Sequence, residues 1–250
     1  GLSVETGDTA ANANAGPSGG SRVTLFVGGA VRDAAGRLRD ALLETAAAHL
    51  GRPSADLVLT ADAVAVHDTP GMSMPLRAVA AARTTAGLPN NFEGTFNVDI
   101  PKFDAASGLG EAYPAYVSAT EVAEVEVDTA TGAVTVIRIV AAHDVGQPVF
   151  VPGIVGQIEG GIVMGLGFAL AEDFVPGETQ GFKQYRIPRA ADAPEMISFL
   201  VSDNSAEPLA KGVAESSNMV AAPAVVNAIA NATGTRVVDL PVRLGRGATG

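Results

Sequence analysis

Two β-rich runs constrain the fold of this 250-residue chain more than any other feature. They span 116–128 and 133–143 and are joined by DTATGA. The first places Val122, Val125 and Val127 among acidic residues, and the second is mostly Val, Ile and Ala. Gly132 stands where a hairpin turn needs a positive φ. Residues 153–171 then form a Gly-rich apolar segment, too long for one strand, which reads as a buried helix. Its glycines lower helix propensity, so close packing must offset them.

The remaining elements follow from periodicity and punctuation. Residues 2–6 read as a short strand and 7–20 as a small, polar, flexible loop. Val27, Val31, Ala34, Leu38, Leu42, Thr45 and Leu50 recur at helical spacing, with Gly51 as the stop and Gly36 as a weak point. One or two short strands are expected in 56–67, a helix over about 74–86, a strand at 92–100, and a strand or two in 180–203. A last helix runs from about 219 to 232 and ends at Gly234, followed by a short strand, VVDLPV, at 237–242. Helices and hairpins alternate without regular βαβ spacing, so the fold class is α+β, with mixed sheets and packed helices. No internal repeat of fixed period is visible.

Composition narrows the function classes. With 47% hydrophobic and 17% charged residues the chain can build a real core, as one large domain or two lobes. The lobes read as about 1–90 with 150–180, and 91–149 with 181–250. The formal charge is 16 − 27 = −11 with no basic run, which argues against sequence-independent nucleic-acid binding. The chain has no cysteine, which excludes disulfides, a thiolate nucleophile and an iron–sulfur cluster held by this polypeptide. No apolar stretch of about 18 residues is evident, so no membrane span is expected, and the location is read as cytoplasmic. The opening GLSVETGDT lacks the basic and apolar regions of a signal peptide. It reads as a strand entered midway, as in the second part of a longer gene product or a split subunit.

Three segments can carry chemistry. KGVAESS at 211–217 places Glu215 between a glycine-containing turn and an Ala-rich helix, among apolar neighbours and few cations. A carboxylate so placed is either a helix N-terminal acid stabilised by the dipole or a general base tuned by burial. Ser216 and Ser217 are able to cap the helix in both cases. Gln157, in GQIEGGIVMGLG, offers two donors and an acceptor to a polar cofactor edge, or simply starts a helix. Glu159 reads as structural, and Gly160, Gly161, Gly165 and Gly167 read mainly as helix-packing positions. In GPSGGSRVT at 16–24, successive N–H groups after Gly19 and Gly20 can form an anion-binding nest, with Arg22 near a phosphate. The loop is neither a phosphate-binding Gly-Lys-Ser/Thr loop nor a dinucleotide fingerprint, which needs GxGxxG directly after a strand. His49, His67 and His143 lack zinc spacing, and Asp144 stands where it could orient His143. No Gly-x-Ser-x-Gly nucleophile elbow, the strand-to-helix turn that carries a hydrolase serine, is read here, so a serine hydrolase is disfavoured.

Taken in order, these segments resemble the molybdenum hydroxylases of the xanthine oxidase family, and within them the second molybdopterin-binding domain of the large subunit, over residues 1–250. VETGDT with GGSRVT looks like the loop under the molybdopterin. AEVEVDTATGAVTVIRIVAAHDVG resembles the central hairpin, GQIEGGIVMGLGFALAED the Gly-rich helix, KQYRIPRAADAPE the strand before the active-site loop, and KGVAESSNMVAAPAVVNAIANATGTRVVDLPV the catalytic loop and last helix. The resemblance implies that Glu215 is the base that takes the proton of a metal-bound hydroxyl. It implies that Gln157 bonds the cofactor, and that Gly20, Ser21, Arg22, Val23 and Thr24 contact its pterin and phosphate edge. No residue of this chain is expected to ligate the metal. Oxygen from water would enter an electron-poor substrate carbon. The implied cofactors are molybdenum with molybdopterin, plain or in cytosine dinucleotide form, and iron–sulfur clusters and FAD on partner subunits. The implied partners are a subunit carrying the first molybdopterin-binding domain, an iron–sulfur subunit, an FAD subunit and a small-molecule substrate. N-heteroaromatics, aldehydes, carbon monoxide and aryl thioesters are all open as substrates. Ala214 replaces the second glycine of the usual Gly-Val-Gly-Glu, and GQPVFVPGIV replaces an Ile-Asn-Pro turn. A non-catalytic assembly or small-molecule-binding partner of the same fold is the alternative these departures leave open.

Overall fold

The computed structural model describes residues 2–98, 103–110, 113–202 and 209–245. Two compact units emerge. One comprises residues 1–17 and 26–99, the other 18–25 and 100–250.

The first unit is built on α1 (Val23–Leu50), of which it contains the part from Phe26 onward. Three short strands follow, β1 (Leu57–Leu59), β2 (Ala63–Val66) and β3 (Ser73–Pro75), paired antiparallel in that order. Then comes α2 (Leu76–Thr85). Leu42 and Ala46 of α1, Leu57, Val64 and Val66 of the sheet, and Val79 of α2 close one core. Arg83 is buried, with no carboxylate partner among the described residues. Its guanidinium donates to the carbonyls of Ala41 and Pro89 and to Thr45 Oγ1, so neutral oxygens solvate the charge.

Two strands expected in this unit are absent. Residues 2–6 join no ladder, and Leu2 and Val4 are exposed. The alternation in 92–98 is real, since Phe92, Gly94, Phe96 and Val98 are the half-buried ones, but it has another cause. The segment lies along α1: Phe96 covers Gly29, Gly94 fits against Ala30 and Ala34, and Thr95 N–H donates to Asp33 at 3.0 Å. Period-two burial against a helix imitates a strand. Residues 99–100 of that expected strand lie outside the described residues.

In the second unit β4 (Ala119–Asp128) and β5 (Ala133–Gly146) form the expected hairpin. Gly132 turns it at φ 78°. A side chain there would strike the Leu244 carbonyl, so the turn needs glycine twice over. Of the strands expected in 180–203 one forms, β6 (Glu195–Ser202), parallel to β5; residue 203 is not described. Residues 237–242 join no strand; Val242 N–H bonds the Ala169 carbonyl instead.

Helices α3 (Val151–Leu170) and α4 (Ser216–Thr233) cover the inner face of this sheet. Ile158, Ile162, Leu166 and Ala169 of α3 meet Val225 and Ile229 of α4 over Ile139 and Ala141. The Gly-rich segment is therefore the buried helix its sequence implies. By length and composition α3 is also apolar enough to cross a membrane, contrary to the sequence expectation. One side of it, with Ile158, Ile162, Leu166 and Ala169, packs on α4 and the sheet, while Met164 and Phe168 are exposed. For the same reason residues 150–180 group with α4 and the hairpin rather than with 1–90, and residues 91–98 stay with the first unit.

Candidate active site

The loop at 19–24 folds as its composition allows. Gly20 (φ 63°) and Ser21 (φ 55°) are both left-handed, and Ser21 is the one non-glycine with positive φ among the described residues. Helix α1 begins at Val23, one turn earlier than the apolar spacing implies. Val23 and Thr24 are thus helical residues, with Gly20, Ser21 and Arg22 leading in. The first-turn N–H groups of a helix have no intrahelical acceptor, and this first turn contains no acidic residue. A left-handed pair before a helix N-terminus presents convergent N–H donors to an anion.

The second segment, 209–215, is pinned from β5. Gln147 N–H donates to the Leu209 carbonyl and Lys211 N–H to the Val145 carbonyl, each at 3.0 Å. Lys211 Nζ meets Asp144 Oδ2 at 2.5 Å. Asp144 therefore anchors Lys211 and does not orient His143. Gly212 packs against the backbone of Ser21, and a Cβ at 212 would collide with the Ser21 carbonyl. Two segments nearly two hundred residues apart are brought into contact here.

Glu215 is the N-cap residue of α4 and uses only its backbone in that role, its carbonyl accepting from Met219 N–H at 3.2 Å. Its side chain makes no capping bond. Instead Ser21 Oγ donates to Glu215 Oε2 at 3.3 Å. The carboxylate is exposed in this chain, so the expected burial among apolar neighbours is not provided by these residues alone. Ala214 is exposed too and leaves Glu215 in place. Neither serine caps α4. Ser216 Oγ lies 3.1 Å from His143 Nδ1, and Ser217 Oγ is buried with no hydrogen-bond partner among the described residues.

Gln157 is exposed and already inside α3, not before it. Helices α3 and α4 run parallel, because the Cβ positions of Gly161 and Gly165 face Ser217 and Ala221. Gln157 lies one turn before Gly161 on the same stripe, about 6 Å along the axis. The stripe thus runs past the first residue of α4 toward the 211–215 loop. Glu159 is half-buried and, two residues from Gln157, lies on the other side of the helix. Of the glycines, Gly161, Gly165 and Gly167 are close-approach positions, while Gly160 faces open space.

The sequence reading missed Glu121. Its side chain is fully buried, 3.5 Å from His143 Nε2. The signal was parity: 119, 123, 125 and 127 face inward with Ala or Val, and 121 shares their face.

Chains of known function are similar to this one. The molybdopterin cofactor-binding domain family model matches residues 2–194. An aldehyde oxidoreductase of Megalodesulfovibrio gigas is 30% identical over 244 residues, covering 94% of this chain and 23% of the relative. The 6-hydroxypseudooxynicotine dehydrogenase complex subunit gamma of Paenarthrobacter nicotinovorans is 30% identical over 232 residues, covering 89% of this chain and 28% of that one. A solved aldehyde oxidoreductase from Desulfovibrio gigas superposes with a TM-score of 0.75 at 28% identity, over 93% of this chain and 23% of that one. The chain therefore spans about a quarter of the length of these relatives.

Proposed function

This chain belongs to the molybdopterin cofactor-binding domain family of the xanthine oxidase-type molybdenum enzymes, and from that premise we propose that it forms one wall of the catalytic site of a molybdenum hydroxylase or dehydrogenase, with Glu215 as its base. The carrying observation is the 3.3 Å contact from Ser21 Oγ to Glu215 Oε2, which puts the anion-receiving loop beside the carboxylate.

The residues present fit the cofactor. The left-handed Gly20–Ser21 pair and the acid-free start of α1 suit a phosphate or pterin edge, and Arg22, Val23 and Thr24 stand in or beside that turn. Gln157 extends the α3 stripe to the same end of the unit and offers an amide for hydrogen bonding. When bound, molybdenum supplies the two-electron oxidation and the acidification of water. Glu215 would be the group that takes up a proton there, and Ser21 Oγ holds one of its carboxylate oxygens and leaves the other free to accept. The exposure of Glu215 in this chain is consistent with a site closed by another domain.

The rest of the assembly belongs to the same proposal. The remaining length of the relatives makes room for the first molybdopterin-binding domain, on the same polypeptide or on a partner. Iron–sulfur clusters and FAD are assigned to partner subunits, because this chain has no cysteine to hold a cluster. We place the complex in the cytoplasm, with α3 as a core helix. The pterin form, plain or cytosine dinucleotide, is read from the mass of the released cofactor.

The test is Glu215→Gln in the assembled complex, assayed with a panel of aldehydes and N-heteroaromatics. Turnover is expected to fall at least about a hundredfold with molybdenum content unchanged. Near-normal turnover would refute the role of Glu215. Molybdenum missing from well-assembled, unaltered complex would instead favour a non-catalytic assembly partner.

A further inference from the structure

Among the described residues, the buried side-chain polar atoms without a hydrogen-bond partner are both carboxylate oxygens of Glu121, His143 Nε2, Ser198 Oγ and Ser217 Oγ. Glu121 and His143 face each other at 3.5 Å, and both side chains are fully buried. On the antiparallel ladder Glu121 lies opposite Ala141, and His143 opposite Ala119, so the two are diagonal neighbours on the inner face. The other imidazole nitrogen, Nδ1, lies 3.1 Å from Ser216 Oγ. Ser216 is the first residue of α4, directly after Glu215.

Proton counting fixes how these groups connect. With Ser216 Oγ donating to the Val213 carbonyl at 3.4 Å, its lone pairs are free to accept from His143 Nδ1–H in the tautomer protonated there. In that tautomer His143 Nε2 faces the buried Glu121 carboxylate at 3.5 Å. Two lone-pair-bearing groups cannot be held there with a net charge and no other partner. One proton between Glu121 and His143 makes the pair neutral overall, as imidazolium with carboxylate or as imidazole with carboxylic acid.

A polar set in this place calls for an explanation beyond stability. The neighbouring inward positions are Ala119, Ala123, Val125 and Val127, and apolar residues in place of a buried ion pair are often neutral or stabilising. What distinguishes the set is its far end. It reaches the first turn of α4 from below, while Asp144, on the opposite face of β5, grips Lys211. Successive strand residues point to opposite faces, so His143 and Asp144 together clasp both ends of the 211–216 segment.

We propose that Glu121, His143 and Ser216 form a buried, proton-holding positioning assembly that fixes the direction of the Glu215 carboxylate. It rests on the reading of Glu215 as base. None of the three is itself a catalytic residue.

The experiment uses the molybdenum-loaded complex with four variants: Glu121→Gln, Ser216→Ala, the double variant Glu121→Met/His143→Leu, and Glu215→Gln. Molybdenum content, melting temperature, kcat, KM and amide exchange of peptides covering 209–219 are measured on each. The first three are expected to keep molybdenum and KM, to lose about tenfold or more in kcat, and to exchange about tenfold faster at 213–217. The double variant removes both buried partners, so it is expected to recover melting temperature without recovering kcat. Recovery of kcat and of slow exchange in the double variant would make the set purely structural and overturn the proposal. Where charge-altering variants do not assemble, Ser216→Ala decides, since it deletes only the last link; unaltered kcat and exchange there are equally fatal. If Glu215→Gln is inactive while the other variants are normal, only the positioning role falls. If Glu215→Gln is active, the base reading fails and the positioning role fails with it.

Discussion

Ser21 and Gly212 show how single residues make this site. A non-glycine residue at φ 55° costs on the order of 1–3 kcal/mol, yet the serine there places its hydroxyl on Glu215. Gly212 lacks a Cβ because the Ser21 carbonyl occupies that space. Gly212→Ala is therefore expected to cost about 1–3 kcal/mol and to lower molybdenum content, since the loop must move off the 211–215 segment. Unchanged melting and metal content in that variant would separate the loop from the site. At this scale the sequence was partly legible. Glu215 and the 20–24 loop stood out by their glycine and serine context. Glu121 did not, because an acid among acids in 121–128 shows its significance only once strand parity and the α4 contact are known. The capping role expected of Ser216 and Ser217 failed for a similar reason: both side chains turn inward, one toward a histidine 73 residues away in sequence.

Among the elements, α3 gives the sharpest energetic contrast. Gly165 faces Ala221, where an added Cβ would approach the alanine Cβ at 2.6 Å, and Gly160 faces nothing within 4 Å. Replacing helical glycine by alanine gains about 0.5–1 kcal/mol where space is open, while overpacking costs about 1–3 kcal/mol. Gly160→Ala is thus expected to raise the melting temperature and Gly165→Ala to lower it. Equal effects would show that the glycines are not packing positions. The hairpin turn makes a pH prediction. The Thr131 hydroxyl, then the Ala130 and Thr131 N–H groups, hold the Asp128 carboxyl below its ordinary 3.8. A carboxyl lowered in the folded state stabilises fully above its unfolded pKa and loses that contribution as pH falls through the folded one. The turn should weaken below about pH 4, and Asp128→Asn should remove that part of the acid dependence of melting. The hairpin and α3 were legible because local chemistry decides them. The expected strand at 92–98 was not, because packing on α1 produces the same alternation as a ladder.

At the scale of the whole molecule, the grouping of segments was the least legible feature. It depends on α3 and α4 packing through Gly161 and Gly165, a contact no local pattern announces. The second unit also leaves an apolar outer sheet face, with Val122, Ile197, Phe199 and Val201 exposed. Such a face accords with a chain that spans about a quarter of its relatives and with the larger assembly proposed above. The account stands on the placement of Glu215 and the 20–24 loop around one metal-bearing cofactor. Anomalous diffraction at the molybdenum edge, from crystals of the assembled complex, tests that placement most directly. The account predicts a molybdenum peak beside the Glu215 carboxylate, with pterin or phosphate density against Gly20–Thr24. A peak remote from Glu215, with the carboxylate facing bulk water, would contradict it.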